Sequence, residues 1–182
     1  MIKYREEIYP EVLRDVAEKM VAAAITAPKA SGQDKVVAAI VTGEEKDRIA
    51  DKMMELGIEY DEEFIRRDSD QLKNCEIAVL LGVQGIPFGL PNCSFCGFKN
   101  CAYMVSAGGQ CAINIVDLGI AVGSAVSVAA DHRIDNRVMY SIGKAVSQMD
   151  IFPAGVHVCF GIPLSISSKS MFFDRGPGAV LR

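Results

Sequence analysis

No glycine-rich phosphate loop occurs in this sequence, neither G-x-G-x-x-G nor a Walker A string, so the common dinucleotide and P-loop sites have no support. A leader is equally missing. Residues 1–7 carry acidic side chains and no apolar core, which places the chain in the cytoplasm by expectation. Basic stripes are absent too: 19 Lys and Arg stand scattered against 23 Asp and Glu, for a formal charge of −4, and nucleic acid is a poor partner. The longest uncharged apolar run covers residues 118–130. At about 1.5 Å per residue it reaches roughly 20 Å, short of the roughly 30 Å hydrocarbon core, so the expectation is a buried helix and no membrane contact. No serine or cysteine nucleophile triad, internal repeat or low-complexity linker is visible. With 182 residues, half of them hydrophobic, residues 1–182 are expected to form a single domain.

What the chain does have is cysteine, concentrated in one place. Four of its six cysteines, Cys93, Cys96, Cys101 and Cys111, follow the spacing C-x2-C-x4-C-x9-C. In a reducing compartment such clusters serve as ligands more often than as disulfides. Three readings remain open. Free thiols are common in cores. A structural zinc favours two short knuckles, and the Cys101/Cys111 pair is wide for one. An iron–sulfur cluster of the [4Fe-4S] kind tolerates looser spacing, and the plant-type C-x4-C-x2-C order is reversed here. Gly97 would free an amide to approach sulfur, while Phe95 and Phe98 would screen the metal from water. Cys75 and Cys159 are assigned to packing.

The rest of the chain reads as alternating helices and short apolar strands. Residues 10–27 have the helical period, with Pro10 in the first turn. Residues 36–41 and 77–83 are strands buried on both faces. Residues 44–56 form a helix stopped by Gly57, with Ile49, Met53 and Leu56 inward, and residues 61–73 form a surface helix. Asp117 opens a small-residue helix over 118–130, and Asp135 caps a further helix through Met149. A third strand covers 155–161, and 162–182 is a loop-rich tail ending in Gly176-Pro177-Gly178. The pattern is α+β.

Several strings then fall into a known pattern: Pro91-Asn92-Cys93-x2-Cys96-Gly97-Phe98-x2-Cys101, Asp117-Leu118-Gly119-Ile120-Ala121, Asp135-Asn136-Arg137-x-Met139-Tyr140-x-Ile142-Gly143, and Gly161-Ile162-Pro163-Leu164-Ser165 with Phe172-Phe173-Asp174-Arg175. They resemble the uncharacterised ferredoxin-domain-containing proteins of bacteria and archaea, nearly end to end. More distantly, residues 22–33 resemble the flavin-contacting turn of the FMN-dependent nitroreductase superfamily. That likeness implies a three-layer α+β fold, a central mixed sheet flanked by helices with the cysteine-rich loop 91–111 inserted, and a homodimer binding FMN between subunits. The arginine-serine-x-arginine phosphate clamp that the superfamily has near its N-terminus is missing, with only Lys3 and Arg5 nearby, and Gly32 or Gln33 stands where its flavin-binding asparagine is expected. Lys29, Ser31, Gln33 and Lys35 are the candidate flavin contacts. The redox partner is not named by any of these residues.

Among the remaining polar groups, His132 is placed at a helix end, where its charge suits the dipole. His157 is expected as a satisfied core histidine. Asp135 and Arg137 are assigned to capping or ion pairing, and Arg175 beside Asp174 to anion contact.

Overall fold

The computed structural model describes residues 1–173, so Asp174, Arg175 and the Gly176-Pro177-Gly178 turn lie outside the described residues. Helix α1 (Arg5–Thr26) buries Leu13, Val16, Ala17, Met20 and Ala24, the side that the 3.6-residue period marked. It begins before Pro10, which lies inside the helix rather than in its first turn. The proline ring removes only the bond to the Glu6 carbonyl, and Glu6 is solvent-exposed. Next come β1 (Val36–Thr42), α2 (Gly43–Glu59), α3 (Glu63–Lys73) and β2 (Ile77–Gln84). After an irregular stretch follow α4 (Cys101–Ser106), α5 (Ala112–Asp131), β3 (Asp135–Asn136), α6 (Tyr140–Val146) and β4 (Val156–Ser165).

The strands form one sheet in the order β1-β2-β4-β3. Every pairing is antiparallel, where a mixed sheet was expected; the α+β class stands. In β2 the residues alternate between two apolar layers. Ile77, Val79, Leu81 and Val83 meet α1 and α5, while Ala78 and Leu80 meet α2, α3 and α6. Central β2 is buried from Ile77 through Val83, as its unbroken apolar run implied. Strand β1 lies at the sheet edge and is only partly buried, which corrects the expectation of two covered faces.

Other boundaries move for physical reasons. Gly57 lies within α2: a Cβ there would come 2.7 Å from Arg66 Cγ and 2.9 Å from its backbone nitrogen, so this glycine permits α3 to pack closely rather than ending the helix. Asp135 does not cap a helix. Its segment pairs with β4, and Met139 exchanges backbone hydrogen bonds with Gly161, keeping the chain extended until α6 starts at Tyr140. Strand β4 runs on through Pro163 to Ser165 because Ile162 and Leu164 fill the α1/α5 side of the core.

Helix α5 starts at Ala112, so its 20 residues reach about 30 Å, and length does not exclude it as a membrane span. Its Leu118, Ala121, Val122, Ala125 and Ala129 pack into the core, while Val116 and Ile120 are exposed at 49% and 41%. It is therefore half-buried, not wholly so.

Candidate metal centre

The segment between β2 and α5 leaves the sheet at Gln84 and returns at Cys111, and its backbone is shaped by left-handed residues. Asn92 (φ 56°) and Ser94 (φ 45°) flank Cys93, and Gly97 (φ 81°) follows Cys96. Two non-glycine residues in that region beside one cysteine are a local strain of the kind that collects at functional sites. Asn100 Oδ1 accepts the Tyr103 N–H at 2.9 Å and so caps α4, placing Cys101 in its first turn. Cys111 is the N-cap residue of α5.

These turns bring all four predicted cysteines onto the wall of one cavity, with Phe88, Phe98 and Met104 filling between them. No disulfide joins them. The cavity encloses about 30 Å³, room for one or two waters, and the turn of residues 92–96 lines it. That turn is lightly tethered: its internal bonds include Gly97 N–H to Ser94 O at 2.9 Å and Ser94 Oγ to Lys99 O at 3.4 Å. The Gly97 amide, expected to be free for sulfur, is thus used within the turn. Phe95 is 68% exposed, while Phe98 packs inward against Gly109.

No three His, Cys, Asp or Glu side chains among the described residues are gathered as one metal ion requires. The donor chemistry of four thiols on one wall fits an iron–sulfur cluster, which distributes its thiolates over several irons. It fits a single zinc less well, since four sulfurs at about 2.3 Å from one ion must nearly touch.

The thiols differ in acidity. For Cys111, burial pushes upward, but the backbone N–H groups of Asn114, Phe88 and Ile113, together with Lys35, outweigh it and leave the thiol below its ordinary value. A helix N-terminus favours the thiolate in the same way. Burial drives Cys75 and Cys159 each up to about 12. Iodoacetamide at pH 8 on metal-free folded protein should consequently label the half-buried Cys93, Cys96 and Cys101 first and leave Cys75 and Cys159 unmodified, as read by peptide mass spectrometry. Early labelling of Cys159 would contradict its placement in the core.

The four residues predicted to touch flavin do not converge. Lys29 spends all three ammonium protons on the carbonyls of Ala24, Ile25 and Ala27, at 2.8, 2.9 and 2.8 Å, and so closes the end of α1. Ser31 and Gln33 are exposed. Lys35 turns to the cysteine segment, donating to Ile86 O at 3.2 Å with its ammonium 4.7 Å from the Phe88 ring centre. The turn itself is pinned from α5, where both Asp117 carboxylate oxygens accept the Ala30 N–H at 3.1 Å. Asp117 lies within α5 and does not open it.

Sequence reasoning passed over Asn114. Its side chain, 2% exposed, donates to Gln84 O at 3.2 Å and Ile86 O at 2.7 Å, fastening the exit of β2 to the start of α5. The signal was a lone amide within the apolar stretch 112–116. His132 is the C-cap of α5, as expected, whereas His157 is exposed and not a core residue. Arg137 pairs with Asp68 at 3.2 Å, in keeping with its assignment.

An antiparallel sheet between α1/α5 and α2/α3/α6 matches the fold of solved nitroreductase-family proteins. The chain superposes over 86% of its length on the hypothetical oxidoreductase YcnD from Bacillus subtilis, with TM-score 0.58 and 12% identity, spanning 59% of that protein. It matches an FMN-dependent nitroreductase from Clostridium difficile with TM-score 0.56 and 16% identity, over 86% of this chain and 77% of the other. The likeness shows the fold alone. Residues 107–175 match the family described as an uncharacterized protein containing a ferredoxin domain. An uncharacterized protein of Archaeoglobus fulgidus is 37% identical over 97% of this chain and 99% of its own length. The chain belongs to that ferredoxin-domain family.

Proposed function

We propose that the chain is an electron-transfer protein whose Cys93, Cys96, Cys101 and Cys111 hold a [4Fe-4S] cluster, with residues 91–111 as the ligand loop. The observation that carries this is the meeting of four sequence-separated thiols on one cavity wall, in a stretch without a carboxylate between Glu76 and Asp117. When bound, such a cluster supplies one-electron oxidation and reduction. The chain contributes the rest. Phe88, Phe98 and Met104 exclude water, the N–H groups at the start of α5 favour the charged form of Cys111, and Lys35 adds a compensating cation. The alternative is a zinc-stabilised interaction domain without catalysis, and the spread of the thiols favours the cluster over it.

An FMN phosphate fits poorly at residues 29–35, because Lys29 is consumed by three carbonyls and Lys35 faces the cysteine segment. The partner in assembly that we propose is a second copy of the chain, seated on the exposed side of α5, where Val116, Gly119, Ile120 and Gly123 offer an uncharged surface.

Anaerobic purification, iron and sulfide analysis, and electron-paramagnetic spectra test the cofactor, and light scattering of the same sample tests the dimer. About four irons and four sulfides per chain are expected. Cys96→Ser should abolish the visible absorption and Cys159→Ser should retain it. A colourless protein with stoichiometric zinc that resists reconstitution would overturn the cluster reading, and a monomer mass would overturn the dimer.

A further inference from the structure

A second concavity, a groove of about 680 Å³, opens between the end of β2, the end of α4 and the start of β4. Its volume lies within the roughly 300–1,000 Å³ of small-molecule sites. At this point the β2–β4 register shifts between Val83 and Gln84: Val83 faces Val158 and Gln84 faces Val156, leaving His157 as an extra residue. Such bulges re-aim side chains and recur beside functional sites. Here the bulge sends His157 into the groove wall.

Gly85 lies between His157 and Gln110. A Cβ on Gly85 would come 3.5 Å from both Gln110 Oε1 and His157 Cδ2, so the amide and the imidazole converge over one glycine. Gly108 (φ 68°) and Gly155 (φ 95°) also line the groove, and a Cβ on either would meet nothing within 4 Å. The backbone is thereby bare to a flat ligand. Gln84, Gln110 and His157 form no side-chain hydrogen bond with any described residue, and no Lys, Arg, Asp or Glu lines the groove. Unpaired carboxamides present a donor and an acceptor side by side, the pattern that matches the edge of an amide-bearing nitrogen heterocycle. Without a cation, a phosphate gains nothing there.

We infer that this groove is a binding site for a planar, uncharged nitrogen heterocycle of the lumazine, pterin or nucleobase type, held by Gln84, Gln110 and His157 and recognised through its ring rather than through a phosphate. The site abuts the cysteine cavity. A Cβ on Gly109, in the groove wall, would lie 2.9 Å from Phe98 and 3.0 Å from Met104, both of which line that cavity. The binding assignment stands whatever the thiols hold.

The test is fluorescence titration of the full chain with lumazine, and calorimetry with guanosine and with guanosine 5′-monophosphate. Saturable one-to-one binding of at least one ring is expected, with the nucleoside and nucleotide equal within about threefold. Gln110→Leu and His157→Leu should each weaken binding about tenfold, the loss of one hydrogen bond. Ala154→Trp should block the groove. Metal-free and metal-loaded protein should bind equally within about threefold, which separates this site from the metal centre. No saturable binding of any ring up to about millimolar concentration would overturn the inference, as would binding unchanged by all three groove variants. A nucleotide bound more than tenfold tighter than its nucleoside would also overturn it, because that places the ligand against a cation elsewhere.

Discussion

Gly143→Ala is expected to leave little folded protein, a loss of about 4 kcal/mol or more, measured by urea denaturation and circular dichroism. The reason is a direct collision between α6 and β4. A Cβ on Gly143 would lie 1.7 Å from Cys159 O, 2.5 Å from its carbonyl carbon and 3.3 Å from Phe160 N. All three atoms are backbone of a strand paired with β2, so relief requires breaking that ladder or lifting the helix. Lifting α6 exposes Ile142, Ala145 and Val146, which are each at most 2% exposed. The strand makes the matching concession at Gly161, where a Cβ would meet Ile142 carbons at 2.2, 2.5 and 2.8 Å. Gly123→Ala in α5 is the control, since its Cβ meets nothing within 4 Å and an interior helical glycine costs about 0.5–1 kcal/mol relative to alanine. A Gly143→Ala protein that melts within a few degrees of the parent would mean that α6 does not pack on β4 as described.

That pair of glycines shows what a single sequence can and cannot reveal. The buried strand β2 was legible from composition because an unbroken apolar run has few other uses. The helical face of α1 was legible from its period, although its start was not: the Pro10 signal outweighed five preceding residues that propensity alone leaves ambiguous. By contrast, the roles of Gly57, Gly143 and Gly161 depend on what faces them across the fold, and a glycine's neighbours in space are not written beside it. The segment before α6 was misread for a related reason. Its extended form comes from Met139 bonding to Gly161, a partner 22 positions away. The candidate site divides along the same line. Four cysteines at short spacing stand out as candidate ligands on their own, and the structure lines them on one cavity. The groove beside them is built from glutamines, glycines and a bulge histidine drawn from three elements, and no spacing rule joins those.

Asp68→Ala should destabilise the protein by about 3–5 kcal/mol, the cost of removing one member of a buried charge cluster. Asp68 is 3% exposed and accepts from Arg67 Nε and an Arg67 terminal nitrogen at 3.1 and 2.8 Å, from Arg137 at 3.2 Å and from Ser141 Oγ at 2.7 Å. One carboxylate thus joins α3 to the segment before α6 and to α6 itself, and its removal takes a charged acceptor from each of two guanidinium groups. The control substitutions separate charge from shape. Asp68→Asn keeps the volume but turns an amide donor toward an arginine, so if charge dominates it should fall within about 1 kcal/mol of Asp68→Ala. Ser141→Ala deletes a single neutral donor while both arginines still satisfy the carboxylate, and should cost about 1 kcal/mol. The opposite order, with Asn nearly silent and Ser141→Ala severe, would assign the junction to hydroxyl bonding and packing instead. Because neither Asp68 nor its partners Arg67, Arg137 and Ser141 line the cysteine cavity, iron incorporation by the folded fraction of Asp68→Asn should match the parent. Stability and metal content should therefore respond to different residues, because the two sets of side chains share no member.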